Sequence, residues 1–290
     1  MIHLTDGEVL MPANLVGAFL ALVSAAFWGS GDFSGGMAAR KSHQYQVLLL
    51  AALFGMAVLI ACVLLWKEGL PSLSSFVWGA LAGSAGALGM AALYHALSMG
   101  NAASVAPTSA IVCAALPVLV GIATVGLPKP AQLVGFALAF IGIWFLSKSQ
   151  SASEKTFKEG MLLAFLSGIG FGGFFVFIAQ VDKGQVFAPI LVARTVTFCI
   201  ALIMLRLRHI PVPGLTSNPL AILAGVLDSG GNVFYLLATQ YTRLDVAAVL
   251  SSLYPAGTVL LATTILKEKV SLAQWVGVCL CLLAVVLITL

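Results

Sequence analysis

Ser147–Gly160 reads SKSQSASEKTFKEG, and its reading decides the fold. Three lysines (Lys148, Lys155, Lys158) and two glutamates (Glu154, Glu159) stand there among serines and a glutamine. Such a composition buries too little apolar surface to fold alone, so the run reads as a solvent-exposed linker. It lies almost at the middle of 290 residues that are otherwise nearly continuously apolar. The question it poses is whether the chain on either side is one unit copied twice.

Composition fixes the solvent. Charged residues make up 8% of the chain and apolar residues 61%. Soluble domains carry about 25% charge, and 8% does not cover a soluble surface of this size. The mean hydropathy of +1.09 agrees. The reading is an all-α integral membrane protein in contact with a lipid bilayer. The net charge of +4 is scattered between apolar runs, with no block resembling a nucleic-acid footprint. The five cysteines (Cys62, Cys113, Cys199, Cys279, Cys281) all lie inside apolar segments, without metal-ligand spacing. Neither a metal nor another cofactor is expected.

Apolar runs long enough to cross about 30 Å of hydrocarbon recur ten times. They cover roughly 13–36, 44–66, 74–99, 103–126 and 130–147, then 160–180, 187–207, 217–239, 246–266 and 271–290. Lys67-Glu68-Gly69-Leu70-Pro71 and Leu127-Pro128-Lys129-Pro130 punctuate the first half; Arg206–Pro213 and Lys267-Glu268-Lys269 punctuate the second. The first run continues past Gly35 and has no basic residue before it, so it is expected to stay as a membrane helix.

The halves align. Gly17 matches Gly160, Ser24 matches Ser167, Trp28 matches Phe171 and Gly29 matches Gly172, at an offset of 143. Gly89 matches Gly230, Tyr94 matches Tyr235 and Val105-Ala106 matches Val246-Ala247, at 141. Gln132–Gly135 matches Gln274–Gly277, at 142. The steady offset implies a repeat. Residues 1–147 form a first five-helix repeat, 148–159 the linker and 160–290 a second. An odd number of crossings per half inverts the second copy, which is an architecture of secondary transporters.

Basic residues test the orientation. Loops after odd-numbered spans hold nine of them and loops after even-numbered spans hold four. That count places the linker in the cytoplasm and both termini outside.

Leu20–Gly29, LALVSAAFWG, resembles the opening helix of the EamA family in the drug/metabolite transporter superfamily. Val249–Gly277 is similar to that family's ninth and tenth helices, through Leu253-Tyr254-Pro255, the Lys267-Glu268-Lys269 turn and Gln274–Gly277. The resemblance implies a central cavity lined by helices one, three, four, six, eight and nine. It also implies export or exchange of small metabolites such as amino acids, and termini in the cytoplasm, against the charge count.

Local physics selects the candidate residues. Charged groups inside a bilayer cost about 2.5–3.5 kcal/mol on insertion scales and face a cavity or a partner. Asp228 lies halfway along helix eight and shares a face with Asn232 and Tyr235. It is the expected group for coupling transport to protons. Asp32 shares a face of helix one with Trp28, whose counterpart is Phe171. Arg194 is the cation well inside a helix, placed to pair with Asp32 or Asp228 or to attract a substrate carboxylate. Tyr94 and His95 in helix three and Tyr254 in helix nine complete the candidate substrate site. Pro107, Pro117 and Pro255 are candidate gating bends. The function these imply is a multi-pass carrier in the cell membrane for a small polar molecule, with no enzymatic role. The other readings are a non-transporting sensor or scaffold subunit and an intramembrane lipid-modifying enzyme.

Overall fold

Apolar runs without charge form helices in lipid because every backbone N–H and C=O must be bonded within its own segment. The computed structural model describes residues 12–98, 102–146, 154–265 and 271–290. Among these it contains α-helices and no strand. They are α1 (Ala13–Ala39), α2 (Gln44–Trp66), α3 (Leu73–Ser98), α4 (Ala102–Val125), α5 (Pro130–Leu146), α6 (Glu154–Ile178), α7 (Phe187–Leu207), α8 (Pro219–Tyr241), α9 (Leu244–Ser251), α10 (Tyr254–Ile265) and α11 (Leu272–Thr289). Eight are long and apolar enough to cross a membrane, which makes the chain a membrane protein.

Polar residues set the helix starts. His43 and Gln46 form a capping box at α2, and Ser271 and Gln274 form one at α11. At α8 the Asn218 side chain accepts from the Ala221 N–H, with Pro219 in the first turn.

Three features differ from the sequence reading. The expected single helix over 246–266 is broken into α9 and α10 by a turn at Ser252 and Leu253. Pro255 is the reason: it has no N–H to give the Ser251 carbonyl, so the helical ladder is interrupted there. The second difference is the polar seam. Residues 147–153 lie outside the described residues, but α6 already begins at Glu154, so the charged half of the seam extends a helix. Third, α1 runs to Ala39, which puts Asp32 well inside the helix and not at its end. Of the other two prolines, Pro117 is buried in an unbroken α4. The side chain of Pro107, in the same helix, lies outside the described residues.

Small residues let the helices touch. Gly83 of α3 lies against Ala193 of α7, and Gly225 of α8 lies against Ala51 of α2. A Cβ on either glycine would overlap a carbonyl oxygen of the opposite helix. Both partners of one pair lie 142 positions from both partners of the other. The pairing of whole helices follows the same rule. α1 packs on α8 and α3 on α6; α2 packs on α7 and α5 on α11. The last two pairs are antiparallel. Leu48 and Leu49 at the start of α2 cluster with Leu205 at the end of α7, while Trp66 meets Phe187 at the other end, ring centroids 5.3 Å apart. Gln132 of α5 donates to the Ile288 carbonyl of α11 at 3.3 Å.

The bundle has two ends, and each is tied. We call the near end the one where α1 begins. There Glu68 reaches from the α2–α3 turn to the start of α7, and its carboxylate accepts from the N–H groups of Val186, Phe187 and Ala188 at 2.9–3.0 Å. Asp182 accepts from the hydroxyls of Ser72 and Ser75. Arg243 binds the buried Asp245 at 2.8 Å and donates to the Gly126 carbonyl at 2.7 Å. The hydrogen bonds to Asp245 raise the pKa of Arg243 above its ordinary value. At the far end, Asn218 donates to the Ala38 carbonyl and the Ser42 hydroxyl at 3.0 Å, and Gln46 donates to the Pro211 carbonyl at 2.9 Å.

Candidate functional site

A cavity of about 80 Å³ opens between the helices midway along the bundle. Its charged lining consists of Asp32 from α1, Arg194 from α7 and Asp228 from α8. Arg194 and Asp228 form an ion pair. Arg194 is buried, with only 7% of its surface exposed, so its stem does not snorkel to the bundle surface. Asn232, one turn beyond Asp228, also faces the cavity and is buried. Asp32 makes no hydrogen bond or ion pair among the described residues, and Tyr254 and Cys113 line the cavity with it.

The rest of the lining is largely aromatic: Trp28, Phe171, Phe174, Phe175 and Tyr254. Trp28 stacks on Phe175, centroids 5.1 Å apart and planes 12° apart. Phe175 stacks in turn on Tyr235 at 4.4 Å. The Tyr235 hydroxyl donates to the Phe175 carbonyl at 3.2 Å, and its side chain is fully buried. Tyr235 therefore supports the wall from behind and is not part of the lining. Ser24 donates to the Gly231 carbonyl at 2.8 Å and fixes α1 against α8 at the depth of Trp28.

The sequence candidates separate accordingly. Trp28, Asp32, Phe171, Arg194, Asp228, Asn232 and Tyr254 meet at one cavity. His95 is exposed toward the end of α3 and is not among the lining residues. The side chain of Tyr94 lies outside the described residues. The cavity also draws on α2 and α7, which the resemblance did not include: Leu48, Ala193, Arg194 and Thr197 line it. Phe174, Phe175 and Cys113 also line the cavity and were not among the residues expected to bind substrate. The signal for Phe175 was available, since it is the repeat counterpart of Asp32 at offset 143. Among the described residues no group of three or more His, Cys, Asp or Glu is placed to hold a metal ion.

A helical membrane protein with a cavity that carries both charge signs on an aromatic wall is the class that fold and site define. Residues 158–290 match the model of the EamA-like transporter family. An uncharacterized protein of Methanocaldococcus jannaschii is 27% identical over 132 residues, 45% of this chain and 93% of that protein. A solved crystal structure is similar over 95% of both chains, with a TM-score of 0.71 and 20% identity, a likeness of fold alone.

Proposed function

We propose that this protein is a secondary transporter that moves small polar metabolites, such as amino acids or related compounds, out of the cell through the central cavity. It works by alternating access in the cell membrane. The ten crossings are two five-helix repeats of opposite orientation, 1–147 and 160–290, joined by 148–159.

One observation carries the reading. Apolar helices converge on a cavity holding Arg194, Asp228 and Asp32, and charges at this depth are costly enough that they mark ligand or ion pathways. The family match of the second half supports transport. The paired contacts Gly83–Ala193 and Gly225–Ala51, both displaced by 142, support a two-fold relation between the halves. The antiparallel packing of α2 on α7 and of α5 on α11 supports its inverted sense. A relative spanned almost entirely by under half of this chain supports a repeat as the ancestral unit.

The coupling ion is the proton. Asp32 is its better acceptor than Asp228, because Asp228 already has the Arg194 guanidinium as counter-ion. The test is flux into proteoliposomes with and without a pH gradient. Wild type should respond to the gradient and Asp32→Asn should not. A gradient response surviving in Asp32→Asn but lost in Asp228→Asn would return the role to Asp228.

A further inference from the structure

We propose that the transported species is a net cation, its ammonium or other cationic head seated at Asp32 against the aromatic wall. The proposal rests on the transporter reading above and narrows its substrate class.

Charge balance in the cavity selects the ligand. Three charged side chains are among the described lining residues: Asp32, Arg194 and Asp228. Arg194 and Asp228 neutralise each other. That leaves Asp32, which has no hydrogen-bond or ion-pair partner among the described residues. Fully ionised, the cavity is therefore one negative charge out of balance. A charge left uncompensated in a desolvated site is strongly unfavourable. A monovalent organic cation cancels it. A zwitterion leaves the imbalance in place, and an anion doubles it. A substrate carboxylate at Arg194 would have to share the guanidinium with Asp228, and the cavity would then hold three carboxylates against one cation.

The wall fits the same ligand. Trp28, Phe171, Phe174, Phe175 and Tyr254 are among the residues that line the cavity. A cation held within about 6 Å of an aromatic face gains about 0.5–2 kcal/mol from the ring quadrupole. The Trp28–Phe175 stack, fixed from behind by Tyr235, keeps that face in place before any ligand arrives. Asp32 lies four residues after Trp28, one turn along the same face of α1.

Three probes of similar size and different charge test this: phenethylammonium, phenylalanine and 3-phenylpropionate. Binding is measured by calorimetry on the purified full-length protein in detergent, for wild type and Asp32→Asn. Phenethylammonium should bind wild type at least about tenfold more tightly than phenylalanine, and 3-phenylpropionate should not bind. Asp32→Asn should lose the preference for the cation. The wild-type series decides the point even if the variant fails to fold. Equal or tighter binding of phenylalanine or 3-phenylpropionate overturns the proposal. So does unchanged cation affinity in a folded Asp32→Asn, or binding of none of the three. Flux of the same probes is read separately in proteoliposomes. Cation binding without flux sinks the transporter reading and leaves charge selection standing; flux of the zwitterion or anion in preference to the cation sinks charge selection alone.

Discussion

Replacing Glu68 removes the cap of a helix that lies elsewhere in the chain. The start of α7 has four backbone N–H groups without an intrahelical partner, as every helix does. Here the positions are Val186, Phe187, Ala188 and Pro189. Pro189 has no N–H, so three donors remain. No side chain of the N-cap residue Val186 serves them. Glu68 takes all three, with Oε1 accepting from Val186 and Ala188 and Oε2 from Phe187. One carboxylate thus completes a helix terminus in another part of the chain. Losing an ordinary N-cap costs about 0.5–2 kcal/mol. The negative charge at the positive end of the helix dipole adds about 0.3–1 kcal/mol. We expect Glu68→Ala to cost about 2 kcal/mol. Glu68→Gln keeps one carbonyl oxygen and should cost about half of that.

The assay is thermal unfolding of the purified protein in detergent, with hydrogen exchange at Val186–Ala188 alongside. On the scale of 2–4 °C per kcal/mol for mid-sized domains, Glu68→Ala should lower Tm by about 4–8 °C. The three amides should exchange faster while those of α11 do not change. A Glu68→Ala protein melting within about 1 °C of wild type, with unchanged exchange, would refute the reasoning.

Three other outcomes follow from the packing. Arg194→Leu leaves the half-buried Asp228 without its counter-ion, which should cost less than the about 3–5 kcal/mol of a fully buried pair, and the double variant Arg194→Leu/Asp228→Leu should recover most of it; a double variant no more stable than the single would contradict the pairing. Gly83→Ala and Gly225→Ala should each destabilise by about 1–3 kcal/mol, because each Cβ meets a carbonyl oxygen, whereas Gly36→Ala, with nothing within 4 Å, should be neutral or stabilising. A cysteine introduced at Ser149 and one at Leu290 should react with an impermeant maleimide from opposite faces of the membrane; reaction from the same face would contradict five crossings per half.

Helix positions were legible because the apolar runs are long and separated by proline, glycine and charge. The sequence expectation of 44–66 matches α2, and 187–207 matches α7. The break in the ninth run was legible only as a proline, since Pro107 and Pro117 stand in α4 without breaking it. What separates Pro255 from them is its position at the start of a new helix after Ser252 and Leu253. Of the site, the charges were legible because charge in an apolar helix needs a reason. Which acid Arg194 would choose was not legible, because Asp32 and Asp228 sit on antiparallel helices at similar depth and no local pattern distinguishes them. The aromatic wall was half legible. Trp28 and Phe171 were found through the repeat, but Phe175 sits where the first copy has Asp32, and a repeat argument treats that as a mismatch. Glu68 read as turn punctuation, since its partners lie more than 115 residues away in sequence.

The proposed repeat also makes the two ends of the bundle comparable, and they are not equal. At offset 142 the counterpart of Glu68 is Ile210, and that of Asp182 is Arg40. The near end is closed by the Arg243–Asp245 pair and by two further carboxylates, Glu68 and Asp182, accepting from helix N–H groups and hydroxyls. The far end is closed among the described residues by the neutral amides Asn218 and Gln46. Charge-assisted hydrogen bonds are about twice as strong as neutral ones. On the two-repeat reading proposed above, halves tied with different chemistry do not open equally at both ends, so the near end is the harder to open. Neutralising the two further carboxylates, Glu68→Gln with Asp182→Asn, should shift the balance toward near-end opening. Cys113 reports it, because it is buried and lines the cavity. It should gain reactivity toward an impermeant thiol reagent added on the near side, with Cys199 and Cys279, both exposed, replaced by serine to silence them. Unchanged Cys113 reactivity from that side would mean that the near-end carboxylates fix the fold and do not set which way the cavity opens.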